Sequence, residues 1–301
     1  MAEAKFRYHV LAFCFITATG CGPGQPRQSA TESKTEEERP GASASAFYAP
    51  RGYSKVWEDH FDVAAIDTNR WSVGTLRGPA GDLVPGAAGD HLLNEEYAGY
   101  VTADDSYIDN GALVLRNQKR PYAGTSPQGD FKYTSGWVMT MHKVSINKGY
   151  FEIRAQFPSG DKVWPAIWLI AEDLVWGPEW DIFEYFGYRK DVGYDNMGTH
   201  LATGEWPSVD WKSHWIEQYD AVFDCQAWHI YGFEWTATQA IWHIDGKEVH
   251  RLNSSDVPEG RWPDEKMYIV LNNGVRTTSP DITTTWPNYL VIDYIELYQK
   301  H

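Results

Sequence analysis

Cysteine is scarce in this chain. Only Cys14, Cys21 and Cys225 occur among 301 residues, and no Cys/His cluster has the spacing of a zinc site. Cys14 falls in a predicted leader and Cys21 in a predicted lipidation site, so Cys225 has no partner in the folded part. The sequence therefore argues against a disulfide-stabilised scaffold and against a zinc domain.

Positively charged residues are also few. The chain has 26 Lys and Arg against 41 Asp and Glu, a formal net charge of −15. Binding to nucleic acid needs a basic footprint, so this balance argues against a nucleic-acid partner. Aromatic residues, in contrast, make up 15% of the chain, an excess that favours surfaces that stack on sugar rings. We expect a monomer that acts on a polysaccharide.

No apolar run is long enough to span a membrane. Residues 1–20 instead read as a signal peptide, with a basic start, a short apolar core at Val10–Ile16 and small residues before Cys21. Cys21 resembles the lipidated residue of a bacterial lipoprotein, although Ala18 stands where a larger aliphatic residue is usual. We predict an exported lipoprotein at the cell envelope, in the periplasm or on the outer membrane surface. The alternative is a plain signal peptide and a protein secreted free.

Two further regions follow the leader. Residues 21–52 are predicted to be a flexible acidic linker, because Gly, Pro, Ser, Glu and Ala dominate them. Residues 53–301 carry short alternating apolar runs separated by turn residues, with hairpin turns expected at Asn110-Gly111 and Asp245-Gly246. No sustained helical period is present. This pattern predicts an all-β domain, an antiparallel β-sandwich whose concave face forms a substrate groove.

Three carboxylates fall within six residues, at Glu179, Asp181 and Glu184. In a strand, Glu179 and Asp181 share a face, and Glu184 joins them only if a β-bulge adds one residue after Asp181. A solvated strand is the alternative, but the intervening residues are bulky and apolar, and no Lys or Arg occurs from 171 to 188. Carboxylates this close cannot all ionise freely, which suits acid/base and nucleophilic work on a glycosidic bond.

Five blocks of sequence resemble glycoside hydrolase family 16 in their order and spacing: Trp164–Leu169, Glu179–Glu184, His229–Trp235, Ile244–Val249 and Val291–Tyr298. The resemblance covers about Tyr53 to Gln299. It implies a jelly roll of the concanavalin A-like lectin/glucanase type and retaining hydrolysis of β-linked polysaccharides. The bulged motif resembles the laminarinase, agarase and carrageenase branches, rather than the xyloglucan and lichenase branches, which have one residue fewer.

The resemblance also implies residue roles. Glu179 matches the nucleophile, Glu184 the acid/base, and Asp181 the helper that hydrogen-bonds the nucleophile. No cofactor is expected for catalysis. Glu58 and Asp293 resemble a structural calcium site of relatives, since oxygen ligands suit calcium, although solvated acids are the alternative.

Polar and aromatic residues around the motif are predicted to bind substrate, because the faces of sugars stack on indoles and their hydroxyls need polar partners. For each Trp the alternative is packing in the core, and this alternative is strongest for Trp168. For His200 the alternative is a structural role. The candidates are Asn94, Trp137, Trp164, Trp168, Trp176, His200 and Asn272.

We therefore expect an endo-acting retaining hydrolase, with a laminarin-type β-1,3-glucan as the best substrate. Marine galactans such as agar, porphyran or carrageenan remain alternatives, because Trp137 stands where many laminarinases carry a basic residue. A transglycosylase would share the covalent intermediate. A non-catalytic glycan-binding lectin is the alternative from another class; lectin-like relatives lose one or both glutamates, whereas all three acids are present here.

Overall fold

A computed structural model describes residues 48–77, 82–84, 98–125, 128–173, 177–189, 194–204, 209–216, 224–276, 280 and 284–301. The predicted signal peptide, Cys21, Asn94 and Trp176 lie outside these residues. Contacts divide the chain into residues 1–39 and 40–301, and every described residue belongs to the second unit. Within the described ranges, no helix is both long and apolar enough to cross a membrane.

The described residues contain nineteen strands and two 3-10 turns, the latter at Ala103–Asp105 and Ser254–Asp256. The strands are β1 (Tyr53–Asp59), β2 (Ser72–Val73), β3 (Thr75–Arg77), β4 (Asp82–Val84), β5 (Gly99–Val101), β6 (Ser106–Asp109), β7 (Ala112–Thr125), β8 (Gln128–Met139), β9 (Ser145–Ile146), β10 (Gly149–Gln156), β11 (Val163–Ala171), β12 (Glu179–Arg189), β13 (Tyr194–Thr203), β14 (Asp210–Trp215), β15 (His229–Trp235), β16 (Gln239–Ile244), β17 (Lys247–Asn253), β18 (Met267–Val275) and β19 (Asn288–Lys300).

Both predicted hairpin turns are confirmed. Asn110 and Gly111 join β6 to β7 with φ angles of 50° and 74°, and Asp245 and Gly246 join β16 to β17 with φ angles of 50° and 75°. Positive φ at both central residues matches the right-handed twist of the flanking strands, which explains the choice of Asn or Asp followed by Gly.

The strands form two antiparallel layers. In the first layer the order is β17-β16-β15-β10-β19, and the long β19 pairs on its other side with β1 and β7. In the second layer the order is β14-β13-β12-β11-β18, followed by β8 and β9. The hairpin of β7 and β8 connects the layers, because β7 pairs with β19 and β8 with β18. The predicted antiparallel jelly-roll sandwich is confirmed.

The main core lies between these layers and is rich in aromatic side chains. Trp180, from the middle of the acid motif, is fully buried in it. Its ring lies 5.4 Å from that of Phe233, 5.7 Å from Trp242 and 5.4 Å from Trp262. Strand β12 is thus anchored by its core side chains, which fixes the direction of the acids on its other face.

The N-terminal edge of the described chain contacts the first layer. The backbone N–H of Tyr48 donates a 2.9 Å hydrogen bond to Glu152 Oε2. The Tyr48 ring lies where a Cβ on Gly246 would be, so Gly246 leaves room for it. These contacts begin five residues before Tyr53, the predicted start of the domain.

Candidate active site

A β-bulge brings the three acids of β12 onto one face. Asp181 lies opposite His200 and Glu184 opposite Gly198, so three steps along β12 match two steps along β13. Ile182 is the additional residue, and both it and Phe183 are fully buried in the core. The predicted bulge is confirmed. The acids lie on the side of the second layer that faces away from the core, called the acid face below.

The acids are largely shielded from solvent, with 9% exposure for Glu179, 5% for Asp181 and 8% for Glu184. Burial, together with the charges of Glu179 and Glu184, raises the pKa of Asp181 well above its ordinary value. Burial also raises the pKa of Glu184 to about 8. Burial thus favours the protonated form of both groups, and a hydrogen bond to Glu179 raises the pKa of Asp181 further.

Two nitrogens approach the carboxyl of Glu184. Trp164 Nε1 donates a 2.5 Å hydrogen bond to Oε1, and His200 Nε2 lies 3.5 Å from Oε2. Burial, followed by the charge of His214, lowers the pKa of His200 to about 4, so its ring is neutral at neutral pH. Within the described residues, His200 Nε2 makes no hydrogen bond.

A guanidinium lies next to this group. The Arg276 Cζ is 4.7 Å from the ring centroid of Trp164 and 5.0 Å from that of Phe186. Its positive charge lowers the pKa of Glu184, against the larger effect of burial. Arg276 thus packs against the aromatic residue that hydrogen-bonds the carboxyl and also acts electrostatically on the carboxyl itself.

The predicted ligand Asn272 uses its amide inside the protein. Its Oδ1 accepts a 2.8 Å hydrogen bond from Trp168 Nε1, and its Nδ2 donates to the Trp164 carbonyl at 3.1 Å. Trp137 lies opposite Asn272 on β8 and packs edge-on against Trp168 at 5.8 Å. Trp137 and Trp168 are only 2% and 6% exposed, so both pack closely on the acid face, and their role in substrate binding stays a prediction.

The arrangement places Glu179 beside a hydrogen-bonded neighbour, Asp181, and adds a second glutamate, Glu184, whose raised pKa favours its protonated form, which fits glycoside hydrolysis. The sequence profile of the family described as Glycosyl hydrolases family 16 matches residues 94–295, more than half of the chain. The chain belongs to glycosyl hydrolase family 16. It is a glycosidase that hydrolyses O-glycosyl bonds.

Three relatives illustrate this family membership. The family 16 chain is 27% identical over 271 residues to a beta-glucanase of Rhodothermus marinus, covering 81% of this chain and 84% of the relative. It is 26% identical over 275 residues to a glucan endo-1,3-beta-glucosidase of Niallia circulans, covering 83% of this chain and 38% of the relative. The laminarinase catalytic domain of Thermotoga maritima is similar in structure, with a TM-score of 0.68, 26% identity and coverage of 83% and 99%.

The two predicted calcium ligands of the family 16 chain make separate contacts. Arg154 Nη1 donates a 2.6 Å hydrogen bond to Asp293 Oδ2, and the two side chains form an ion pair. Glu58 forms a cluster with His60 and Glu296, and Lys55 Nζ lies 2.5 Å from Glu58 Oε2 and 3.0 Å from Glu296 Oε1. In this cluster Lys55 pairs with both carboxylates and the third group is an imidazole, whereas calcium prefers oxygen ligands, so these side chains as placed are a poor match to a calcium ion. The calcium site remains a prediction from the resemblance.

Sequence reasoning missed several residues around the acids. Arg276 and Phe186 lie beside Trp164, and Trp211 and Trp215 lie on the edge strand β14. The available signal was the pair of tryptophans four residues apart in Asp210–Trp215, which a strand would place on one face. For Arg276 no sequence signal was available, since only the position of β18 beside β11 brings it to Trp164.

Proposed function

We propose that this family 16 glycosidase is an endo-acting, retaining hydrolase of a β-1,3-glucan. The observation that carries the proposal is the placement of Glu179, Asp181 and Glu184 in one buried row on one face of β12, where burial raises the pKa of Asp181 and of Glu184. The substrate is supported by the relatives, which are a beta-glucanase, a glucan endo-1,3-beta-glucosidase and a laminarinase.

In the first half of the reaction, Glu179 attacks the anomeric carbon as a carboxylate. A glycosyl–enzyme ester bond forms as the bond from that carbon to the leaving oxygen breaks, and the leaving oxygen takes the proton of Glu184. The hydrogen bond from protonated Asp181 stabilises the charge of Glu179 before attack. The raised pKa of Glu184 keeps its proton available near neutral pH.

In the second half, Glu184 acts as a base. Having lost its proton, it takes one from a water molecule that attacks the anomeric carbon. The ester to Glu179 then breaks, and the sugar leaves with its original anomeric configuration. Both carboxyl groups return to their starting protonation states, so one water is consumed for each bond cleaved.

A substrate panel tests this proposal. The purified protein is incubated with β-1,3-glucan, mixed-linkage β-glucan, agar, porphyran and carrageenan, and the products are separated by size. We expect β-1,3-glucan to be shortened to oligosaccharides with an early fall in viscosity, as internal cleavage requires, and Glu179→Ala to release nothing. Cleavage of a galactan alone would contradict the substrate. Binding of a polysaccharide without release of products would favour a lectin. Formation of longer products when acceptor sugars are added would favour a transglycosylase.

We also propose that the protein is exported and anchored by a lipid on Cys21. Support comes from the short apolar leader and the small residues that precede Cys21. The full-length protein should partition with membranes, and Cys21→Ser should move it to the soluble fraction. Wild-type protein found entirely in the medium would show instead that the chain is secreted free.

A further inference from the structure

The acid face continues beyond β12 in two aligned rows. Across β13 and β14, Glu179 is opposite Ala202, which is opposite Trp211. Likewise, Glu184 is opposite Gly198, which is opposite Trp215. Directly opposed residues of antiparallel strands point to the same side of a sheet, so both tryptophans lie on the acid face.

The residues between acids and tryptophans are small, and at Gly198 the missing side chain makes room for the rings of His200 and Trp215. A Cβ at Gly198 would lie 2.5 Å from His200 Nε2 and 3.0 Å from Trp215 Cε3, so only glycine fits there. Two strand spacings separate β14 from β12, or about 10 Å. The Trp215 ring reaches back from β14 over Gly198 of β13 and contacts His200, so its indole lies nearer the acid row than the strand spacing alone would place it.

Both indoles are accessible, with 48% exposure for Trp211 and 38% for Trp215. The Trp215 ring is held edge-on by His200 and Phe186, each with its centroid 5.0 Å away. Among the described residues, β14 pairs only with β13, so it is an edge strand. Exposed Trp side chains on an edge strand promote association between chains unless a ligand or another part of the protein covers them.

We propose that Trp211 and Trp215 form a sugar-binding platform on the rim of the acid face, where they stack on a β-linked glucan chain two strands away from the bond being cleaved. This inference rests on the proposed function, since the occupant is a remote part of the same polysaccharide. Indole faces suit the CH faces of hexopyranose rings. The hydrogen-bonding capacity left on buried His200 Nε2, between the acid row and the platform, suits a sugar hydroxyl on the same path.

The platform predicts an effect that depends on substrate length. Trp211→Ala and Trp215→Ala are compared with wild type on a β-1,3-linked trisaccharide and a hexasaccharide. Each variant should lower kcat/KM for the hexasaccharide by roughly 2- to 10-fold, the range for one aromatic contact, and should lower it less for the trisaccharide. Trp211→Tyr and Trp215→Tyr, which keep an aromatic face, should restore most of the loss. Tyr289→Ala, at an exposed tyrosine of β19 in the other layer, is the control.

Other outcomes overturn the platform. Equal losses on both oligosaccharides would assign the tryptophans a structural role, and unchanged kinetics would leave them no role in binding. A change confined to oligomeric state would make β14 an interface between copies. If the wild-type protein does not cleave β-1,3-glucan, the proposed substrate is wrong, but the platform is not thereby overturned. The length comparison is then made with oligosaccharides of the polysaccharide that the wild-type protein does cleave.

Discussion

Trp164 Nε1 lies 2.5 Å from Glu184 Oε1 and donates a hydrogen bond to it. Because Oε1 accepts this bond, Oε2, which lies 3.5 Å from His200 Nε2, is the oxygen better placed to carry the acidic proton of Glu184. The indole hydrogen bond also restricts rotation of the Glu184 carboxyl before substrate binds.

The first prediction concerns pH. Glu184 must hold its proton to act as the acid, and burial raises its pKa to about 8, so kcat should fall as pH rises through about 8. Arg276→Met removes a positive charge that lowers this pKa, so the basic limb of the profile should move to higher pH. The measurement is kcat against pH with saturating β-glucan.

Two variants serve as controls for this prediction. Arg276→Lys keeps the charge and should shift the limb less than Arg276→Met does. Arg251→Met, which breaks an exposed ion pair with Glu248 on β17, should leave the profile unchanged. A basic limb that moves to lower pH in Arg276→Met would contradict the electrostatic role of Arg276.

The second prediction separates the two glutamates. Glu184→Ala should lower turnover of glucan by roughly 10²–10⁴-fold yet retain activity on aryl glycosides, whose leaving groups need little protonation. Glu179→Ala should lose turnover of both substrates, and added azide should restore it on the aryl glycoside by replacing the missing nucleophile. NMR of the first product should show retained configuration. An inverted product would overturn the assignment even if both glutamates proved essential.

The third prediction concerns Asp181. Burial and neighbouring charge raise its pKa, so it acts as a hydrogen-bond donor to Glu179 rather than as an anion. Asp181→Asn keeps a donor of the same shape and should retain more activity than Asp181→Ala, which keeps none. Comparable kcat values for the two variants, at matched thermal stability, would argue that the donated hydrogen bond is unimportant.

The fourth prediction concerns stability. Trp180 is fully buried among the rings of Phe233, Trp242 and Trp262, so Trp180→Ala should lower the free energy of unfolding by about 3–5 kcal/mol. Denaturant unfolding followed by far-UV circular dichroism measures the change. Tyr289→Ala, at an exposed position, should stay within about 0.5 kcal/mol of wild type.

The acid motif could be predicted from the sequence because its geometry depends on a few neighbouring residues. The spacing of Glu179, Asp181 and Glu184 required a bulge if all three were to share a face, and the apolar residues between them required a core on the other side. The hairpin turns at Asn110 and Asp245 were readable for the same reason. Each depends on a few neighbouring residues whose backbone geometry is restricted.

Features that depend on neighbouring strands were not readable. A role for Trp211 and Trp215 can be inferred only once β14 is known to pair with β13. A role for Arg276 can be inferred only once β18 is known to lie beside β11. The burial of Trp137 and Trp168 depends on their contact with each other across β18. Composition identifies such residues as aromatic or charged, but tertiary pairing decides whether they bind substrate or pack.

The bulge at Ile182 also changes what insertions and deletions do to this strand. With it, β12 sends two consecutive residues, Ile182 and Phe183, to the core without disturbing the order of the acids on the other face. Loss of that one residue would restore plain alternation and still leave Glu184 beside Asp181. Deletion of that one residue would therefore shorten the catalytic row while the parity of its side chains is preserved, so the spacing of the glutamates can change in a single genetic step.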